Sequence, residues 1–436
     1  MSGDWRRPHS PVVVIGGGQA GLSASYYLKQ RGIEHRVLEQ HGLAHEWRHR
    51  RWDSFCLVTP NWQCTLPGYP YAGPEPKGFM LKDEIVRYIE GFAASFGPPL
   101  EEGVRVERLA PEADGGYALD TSAGPCRADQ VIVAVGGYHR PIVPRMAERL
   151  PSALLQLQAP EYRNPDALPP GAVLVVGTGQ SGCQIAEDLH LAGRQVHLCV
   201  GGAPRAPRQY RGRDAVEWLD AMGYYDLSVE QHPQREKVRE KANHYLTGRD
   251  GGREIDLRRF ALEGMRLHGR LLDVTQGDEG PRLHFADDLA HNLDQADAVA
   301  NSIRDSIDEY IAREGIDAPV EPRPVPCWQP PVGSPPLDLV TADIGSVIWC
   351  IGYRADFSWI EVPVFDGRGY PAHRRGVTPA GGLYFLGLPW LHTWGSGRFS
   401  GIARDAAHVV DVLDARRQRS PAAGPVADLN ALALGT

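Results

Sequence analysis

The sequence predicts an α/β protein made of two parallel, three-layer halves, with one half inserted into the other. Two strand–glycine-loop–helix units of one design, at residues 11–40 and 171–200, carry that expectation. Paired strand-to-glycine turns, AVGGYHRPIVP and CIGYR, add the places where the chain would cross between halves and return. The 436 residues are 42% hydrophobic and 23% charged, an ordinary globular balance, and the length allows two to three domains at roughly 150 residues each. The 49 Gly and 36 Pro form no repeat, so they are spent on turns and close backbone approaches.

Each element follows in order. Residues 12–15 (VVVI) read as a buried strand feeding Gly16-x-Gly18-x-x-Gly21. Leu22, Tyr26 and Leu28 then continue at helical spacing to Gly32, and a second strand over 35–38 ends at Glu39, 18 residues after Gly21. The first glycine permits the tight turn, the second lets the backbone approach a pyrophosphate, and the third lets helix and strand pack closely. Glu39 is placed to accept from a ribose hydroxyl, with Gln40 beside it and Gln19 and Ala20 inside the loop.

The design recurs with a strand at 173–176, then Gly177-x-Gly179-Gln180-Ser181-Gly182, a helix to about residue 192 and a strand over 195–200. This second strand ends in Val-Gly-Gly with no acid, and Arg205, Arg208, Arg211 and Arg213 follow. Guanidinium groups pair with phosphate bidentately, so NADPH is expected there over NADH; a solvated arginine-rich loop is the alternative. The fold class is therefore two dinucleotide-binding (Rossmann-type) domains.

Further strands are expected at 104–107, 117–120, 130–135 and 346–351, and helices at 235–245 and 289–313. A Pro-rich connector runs over 321–336, a closing helix starts near Ile402, and residues from about 417 are expected to fray.

Charge and cysteine usage narrow the function. Forty-six basic and 54 acidic residues give a net charge of −8, which offers no electrostatic reason to expect nucleic acid or an anionic membrane. The longest apolar runs fall far short of the roughly 20 residues that span a bilayer, and MSGDWRRPHS contains no signal-peptide stretch, so cytoplasmic residence is expected. Seven scattered cysteines without a C-x-x-C pair define neither a disulfide framework nor a metal site.

Read together, GGGQAG, Glu39, EWRHRRWDSFCLVTPNWQCTLPGYPY, AVGGYHRPIVP, PEYRNP, GTGQSG, VIWCIGYR and GLYFLGLPWL resemble the flavin-containing, class B flavoprotein monooxygenases and related FAD-dependent oxidoreductases over nearly the whole chain. The resemblance implies an FAD domain over 1–165 and 337–436. Inserted into it would be an NADPH domain over 166–336, whose segment of about 214–335 supplies the substrate pocket. It also implies that NADPH reduces the flavin, which takes up oxygen as a C4a-(hydro)peroxide and oxygenates a small organic substrate. The partners are then that substrate and molecular oxygen, and a homodimer is compatible with them.

By the same resemblance, Trp47, Arg48, Thr59 and Trp62 contact FAD, as do Gly136, Gly352, Tyr353, Trp390 and Asp405, while Asn61, Gln63 and His392 are the catalytic candidates. Each could equally satisfy or pack its own loop. The signature F-x-G-x-x-x-H-x-x-x-Y/W is matched only at Tyr162, with Gln158 in place of its His, and the Baeyer–Villiger pattern after Trp47 is absent. N- or S-oxygenation is therefore favoured. The alternatives are an NAD(P)H-dependent flavoprotein reductase or dehydrogenase with another acceptor, and a non-catalytic flavoprotein.

Overall fold

The computed structural model describes residues 8–277 and 280–419. Its α/β fold has Rossmann-like dinucleotide-binding topology, and two sheets carry it. The first contains β1 (His9–Ile15), β2 (Arg36–Glu39), β3 (Leu100–Glu102), β4 (Val106–Pro111), β5 (Tyr117–Thr121) and β6 (Gly124–Val133), in the order β3-β2-β1-β6-β5-β4. β1 is parallel to both β2 and β6, while β4, β5 and β6 form an antiparallel meander. Both faces of β1 are covered, which is why its sequence is a continuous apolar run and not an alternation. Val12 and Val14 pack toward α1 (Gln19–Gln30) and α2 (Lys82–Phe96). Val13 and Ile15 face Phe357, Ile360 and Val364 on the other side. Each such fully buried side chain contributes about 1.5–3 kcal/mol.

The second sheet is wholly parallel: β7 (Leu155–Gln158), β8 (Ala172–Val176), β9 (Val196–Cys199), β10 (Arg266–His268) and β11 (Ile344–Trp349), ordered β7-β11-β8-β9-β10. α3 (Gln180–Leu191) and α4 (Leu289–Glu314) cover one face through Ile185, Leu189, Leu293 and Ala296. The hairpin around Val274 and Leu283 covers the other. This sheet draws on residues outside 166–336, since β7 and β11 are two of its five strands.

The chain crosses from the first sheet after β6 and returns after β11, and the two crossings bond to each other. Tyr353–Arg354 pairs antiparallel with Arg140–Pro141, and the Ile142 N–H donates to the Gly352 carbonyl at 2.9 Å. After the return, β12 (Leu383–Phe385) joins the first sheet beside β6, and α5 (Ile402–Gln418) packs on α1.

Several elements differ from the sequence expectation. The helix expected over 235–245 is only a 3-10 turn, Arg235–Glu240, with Arg235 at φ 46° and Val238 alone buried, so one apolar anchor replaces a helical stripe. The strand expected at 195–200 is shorter, the strand at 130–135 begins earlier and ends sooner, and the strand at 346–351 starts and stops two residues sooner. α2 was not anticipated, although Ile85, Ile89 and Phe92 follow helical spacing and Gly97, at φ 59°, stops it. The expected fraying from about 417 lies almost entirely outside the described residues. No helix among those described is long and apolar enough to cross a membrane.

Candidate functional site

The two glycine loops repeat one geometry. A Cβ at Gly16 would lie 2.7 Å from the Ala134 carbonyl oxygen, and one at Gly21 would lie 1.8 Å from the Gly16 oxygen. In the second loop the corresponding distances are 2.7 Å from Gly177 to the Cys350 oxygen and 1.9 Å from Gly182 to the Gly177 oxygen. Gly18 and Gly179 differ from these: nothing lies within 4 Å of a Cβ at either, so the open space there is on the ligand side. α1 and α3 begin immediately after these glycines with no side-chain cap and no acid in the first turn. Uncapped N-termini of this kind present free N–H groups and a positive dipole end to an anion. The pyrophosphate of a dinucleotide fits both cradles.

Glu39 is fixed beside the first cradle. Its Oε2 accepts from the Gly17 N–H at 2.8 Å and its Oε1 from the His41 N–H at 2.9 Å, which aims the carboxylate and leaves lone pairs for a ribose. Gln40 is exposed beyond it. The Gln19 Nε2 donates to the Gly397 carbonyl at 3.1 Å, tying the start of α1 to the loop before α5. The Trp47 indole reaches the Gln19 Oε1 at 3.5 Å and stacks on Phe399, whose carbonyl accepts from Thr65. Ala20 is buried against Gly387. Arg48 is exposed and paired with Glu90. Gly136, at φ 71°, has open space where a side chain would be, as does Gly352 at φ 100°. Tyr353 is half-buried in the crossing pair.

Thr59, Asn61 and Gln63 are buried together, with Trp62 half-buried among them. Asn61 is fully engaged in its own loop, since Nδ2 donates to the Glu75 carbonyl and Oδ1 accepts from the Met80 N–H. The Gln63 Oε1 is buried without a partner. The His392 Nδ1 also makes no hydrogen bond and lies 3.9 Å from Glu230, and burial lowers its pKa to about 4, so the ring is neutral at pH 7. Both oxygens of Asp405 are buried, and burial raises its pKa to about 6 against the smaller opposing pull of the Ser396 hydroxyl, Arg404 and Arg375. The buried Ser400 hydroxyl has no partner. Buried polar atoms are rarely left unpaired, and this group around the Gln19–Gly397 contact fits the polar edge of a bound flavin-like ligand. Trp390 is buried at φ 51° against Val229 and Val238.

In the second cradle the Gln180 side chain is pinned to the backbone of Leu246 and the Thr178 hydroxyl to Gly201, while Ser181 stays half-buried. Three of the four arginines after β9 turn inward, while Arg213 is exposed over the Trp218 ring. Arg205 pairs with Glu254, Asp256 and Asp297. Arg208, fully buried, lies 2.8 Å from Asp214 and 4.1 Å over the Phe79 ring, and Arg211 meets Asp308 at 3.4 Å.

The structure also brings forward two residues that the sequence reading passed over, Arg51 and Arg398, neither with a carboxylate within 4.0 Å among the described residues. The Arg51 guanidinium sits 5.1 Å from the Trp47 ring and donates to the Arg50 carbonyl. Arg398 lies in WGSGRFSG, where an arginine without a nearby acid was the available signal.

Comparison with known proteins follows the same outline. The profile of a family described as pyridine nucleotide-disulphide oxidoreductase matches residues 13–273. The chain is 32% identical over 408 residues to an uncharacterized oxidoreductase CzcO-like of Geobacillus kaustophilus (strain HTA426), covering 92% of this chain and 98% of that one. It is 33% identical over 192 residues to the indole-3-pyruvate monooxygenase YUCCA1 of Oryza sativa subsp. japonica, covering 43% and 47%. The flavin-containing monooxygenase from Stenotrophomonas maltophilia shares the fold, with a TM-score of 0.63 and 19% identity over 94% of this chain and 99% of that one.

Proposed function

The chain belongs to the pyridine nucleotide-disulphide oxidoreductase family, among its flavoprotein monooxygenase-like members, and from that premise we propose an FAD-dependent, NAD(P)H-driven monooxygenase. Its substrate is a small organic molecule, oxygenated at nitrogen or sulfur. The observation that carries this reading is the repeated cradle: one loop geometry on two sheets whose crossing turns bond to each other, so that two dinucleotides converge there.

Bound FAD supplies the redox chemistry: two electrons from the nicotinamide activate dioxygen, one oxygen atom enters the substrate, and the other leaves as water. The chain's own residues position and shield. Gly18, the α1 N-terminus and Glu39 hold the FAD pyrophosphate and ribose. Gly179 and the α3 N-terminus hold the nicotinamide dinucleotide, with NADPH the expected donor. Gln63 offers a buried acceptor, His392 a neutral ring, and Asp405 a carboxyl that exchanges its proton near pH 6. Trp47 stacked on Phe399 keeps water from that edge.

A dithiol mechanism lacks its residues. Six of the seven cysteines are buried, only Cys327 is exposed, and burial raises the Cys56, Cys64 and Cys350 thiols to about 12, away from the reactive thiolate.

The test is aerobic turnover of the purified holoenzyme under ¹⁸O₂ with candidate amines and thioethers. One labelled atom per product, with NADPH consumed equally, supports the reading. NADPH oxidation that yields hydrogen peroxide or a reduced added acceptor, and never labelled product, sinks it in favour of a reductase.

A further inference from the structure

We propose that Arg398 is the receptor for a carboxylate on the substrate, and that the substrate's body is apolar and preferably aromatic. The proposal deepens the monooxygenase reading, on which it rests for the identity of the ligand as substrate.

Arg398 sits on the loop that closes the first cradle, between Gly397, which accepts from Gln19, and Phe399, which stacks on Trp47. Its guanidinium lies 4.0 Å from the Trp394 ring and donates to the Trp394 carbonyl, and the second arm donates to the Asn243 Oδ1 at 2.8 Å. These contacts fix the plane of the fork while engaging two of its five N–H groups. Among the described residues no carboxylate stands within 4.0 Å. Partial burial acts most strongly on its charge, against it, and three tyrosines, Tyr138, Tyr225 and Tyr224, act the other way. Tyr225 packs 4.6 Å from Trp394, and Tyr224 meets Tyr225 edge-on at 5.6 Å, so the charge has aromatic walls. The guanidinium is half-buried and has no carboxylate beside it, so its remaining N–H groups are free to receive one from a ligand. The partner that suits it is a planar, bidentate oxyanion with a body that can lie on aromatic faces.

The position favours substrate over nucleotide as the source of that oxyanion. The loop of Arg398 borders the first cradle through Gly397 and Gln19, but the guanidinium itself turns to the 224–245 segment of the insertion, bonding Asn243 and feeling Tyr224 and Tyr225. Arg404 ties that segment to the same loop by pairing with Asp226 and donating to the Thr393 hydroxyl.

Equilibrium dialysis of the purified holoenzyme against phenylacetate and its neutral isostere phenylacetamide tests the proposal without turnover, so its outcome is separate from the oxygen-incorporation test. Wild-type protein is expected to bind the acid at least tenfold more tightly than the amide. Arg398→Met should bring that ratio to about one, and Arg398→Lys should keep part of it. Equal binding of acid and amide by the wild type, or binding of neither, overturns the proposal even if no variant folds. An Arg398→Met protein that keeps the acid preference but loses tenfold in KM for NADPH would also overturn it, by assigning the guanidinium to a nucleotide phosphate.

Discussion

The Tyr162 hydroxyl donates to the Asp188 carboxylate at 2.7 Å, and that one contact joins the segment entering the second sheet to the helix of the second cradle. Tyr162 is fully buried, and Asp188 also receives Ser54 and Arg249, so four separate stretches of chain meet on one carboxylate. Tyr162→Phe keeps the ring and removes only the donor. Unfolding in urea should show a loss of about 1–3 kcal/mol, with flavin content unchanged. A variant as stable as wild type would mean that Arg249 and Ser54 satisfy the carboxylate alone.

The glycine cradles give a prediction in which structure and ligand separate. Gly21→Ala places a carbon 1.8 Å from a backbone oxygen and should leave little folded protein. Gly18→Val meets no protein atom within 4 Å of its Cβ, so the chain should fold with near-native circular dichroism yet purify without flavin. Gly179→Val should fold and retain flavin while losing reduction by NADPH by at least tenfold, read anaerobically. Retention of full flavin by Gly18→Val would refute the assignment of the first cradle.

What the sequence made legible was what repeats or alternates. The two glycine loops, Glu39 and the parallel core strands could be read because backbone sterics and two-sided burial leave local signatures. β7 (LQLQ) and β10 (RLH) left none, since a three- or four-residue strand is defined by its neighbours' hydrogen bonds. Arg205 and Arg211 show the other limit: the arginines were visible, but their acceptors, Glu254, Asp297 and Asp308, are about 49 to 97 residues away along the chain, and only folding brings them near.

Arg208, whose acceptor lies only six residues on, tests whether these arginines serve the protein or a nucleotide. Its charge is matched by Asp214 inside the protein, and it lies over Phe79 and donates to the Val58 carbonyl, linking the second half to the first. Arg208→Met should destabilise by about 3–5 kcal/mol, because Asp214 is left buried and unpaired. The ratio of KM for NADPH to KM for NADH should stay within twofold. A selective rise in the NADPH value without loss of stability would instead give Arg208 a 2′-phosphate role.

Asp405 and His392 impose opposite pH dependences on the flavin-free protein. The folded pKa of Asp405 is raised to about 6, so between about pH 4 and 6 the folded state holds more protons than the unfolded one, and stability falls as pH rises through that window. His392 is lowered to about 4, so between about pH 4 and 6.5 the unfolded state holds more protons, and stability rises with pH. The two slopes largely cancel in the wild type. Asp405→Asn removes the first alone: at pH 7 the variant should be more stable than wild type by on the order of 2–3 kcal/mol, and at pH 4 the two should differ by less than about 1 kcal/mol. Urea titrations at both pH values decide it. A variant less stable than wild type at pH 7 would mean that Ser396, Arg404 and Arg375 hold the carboxylate more strongly than burial opposes it, and Asp405 would then lose its place at the flavin edge.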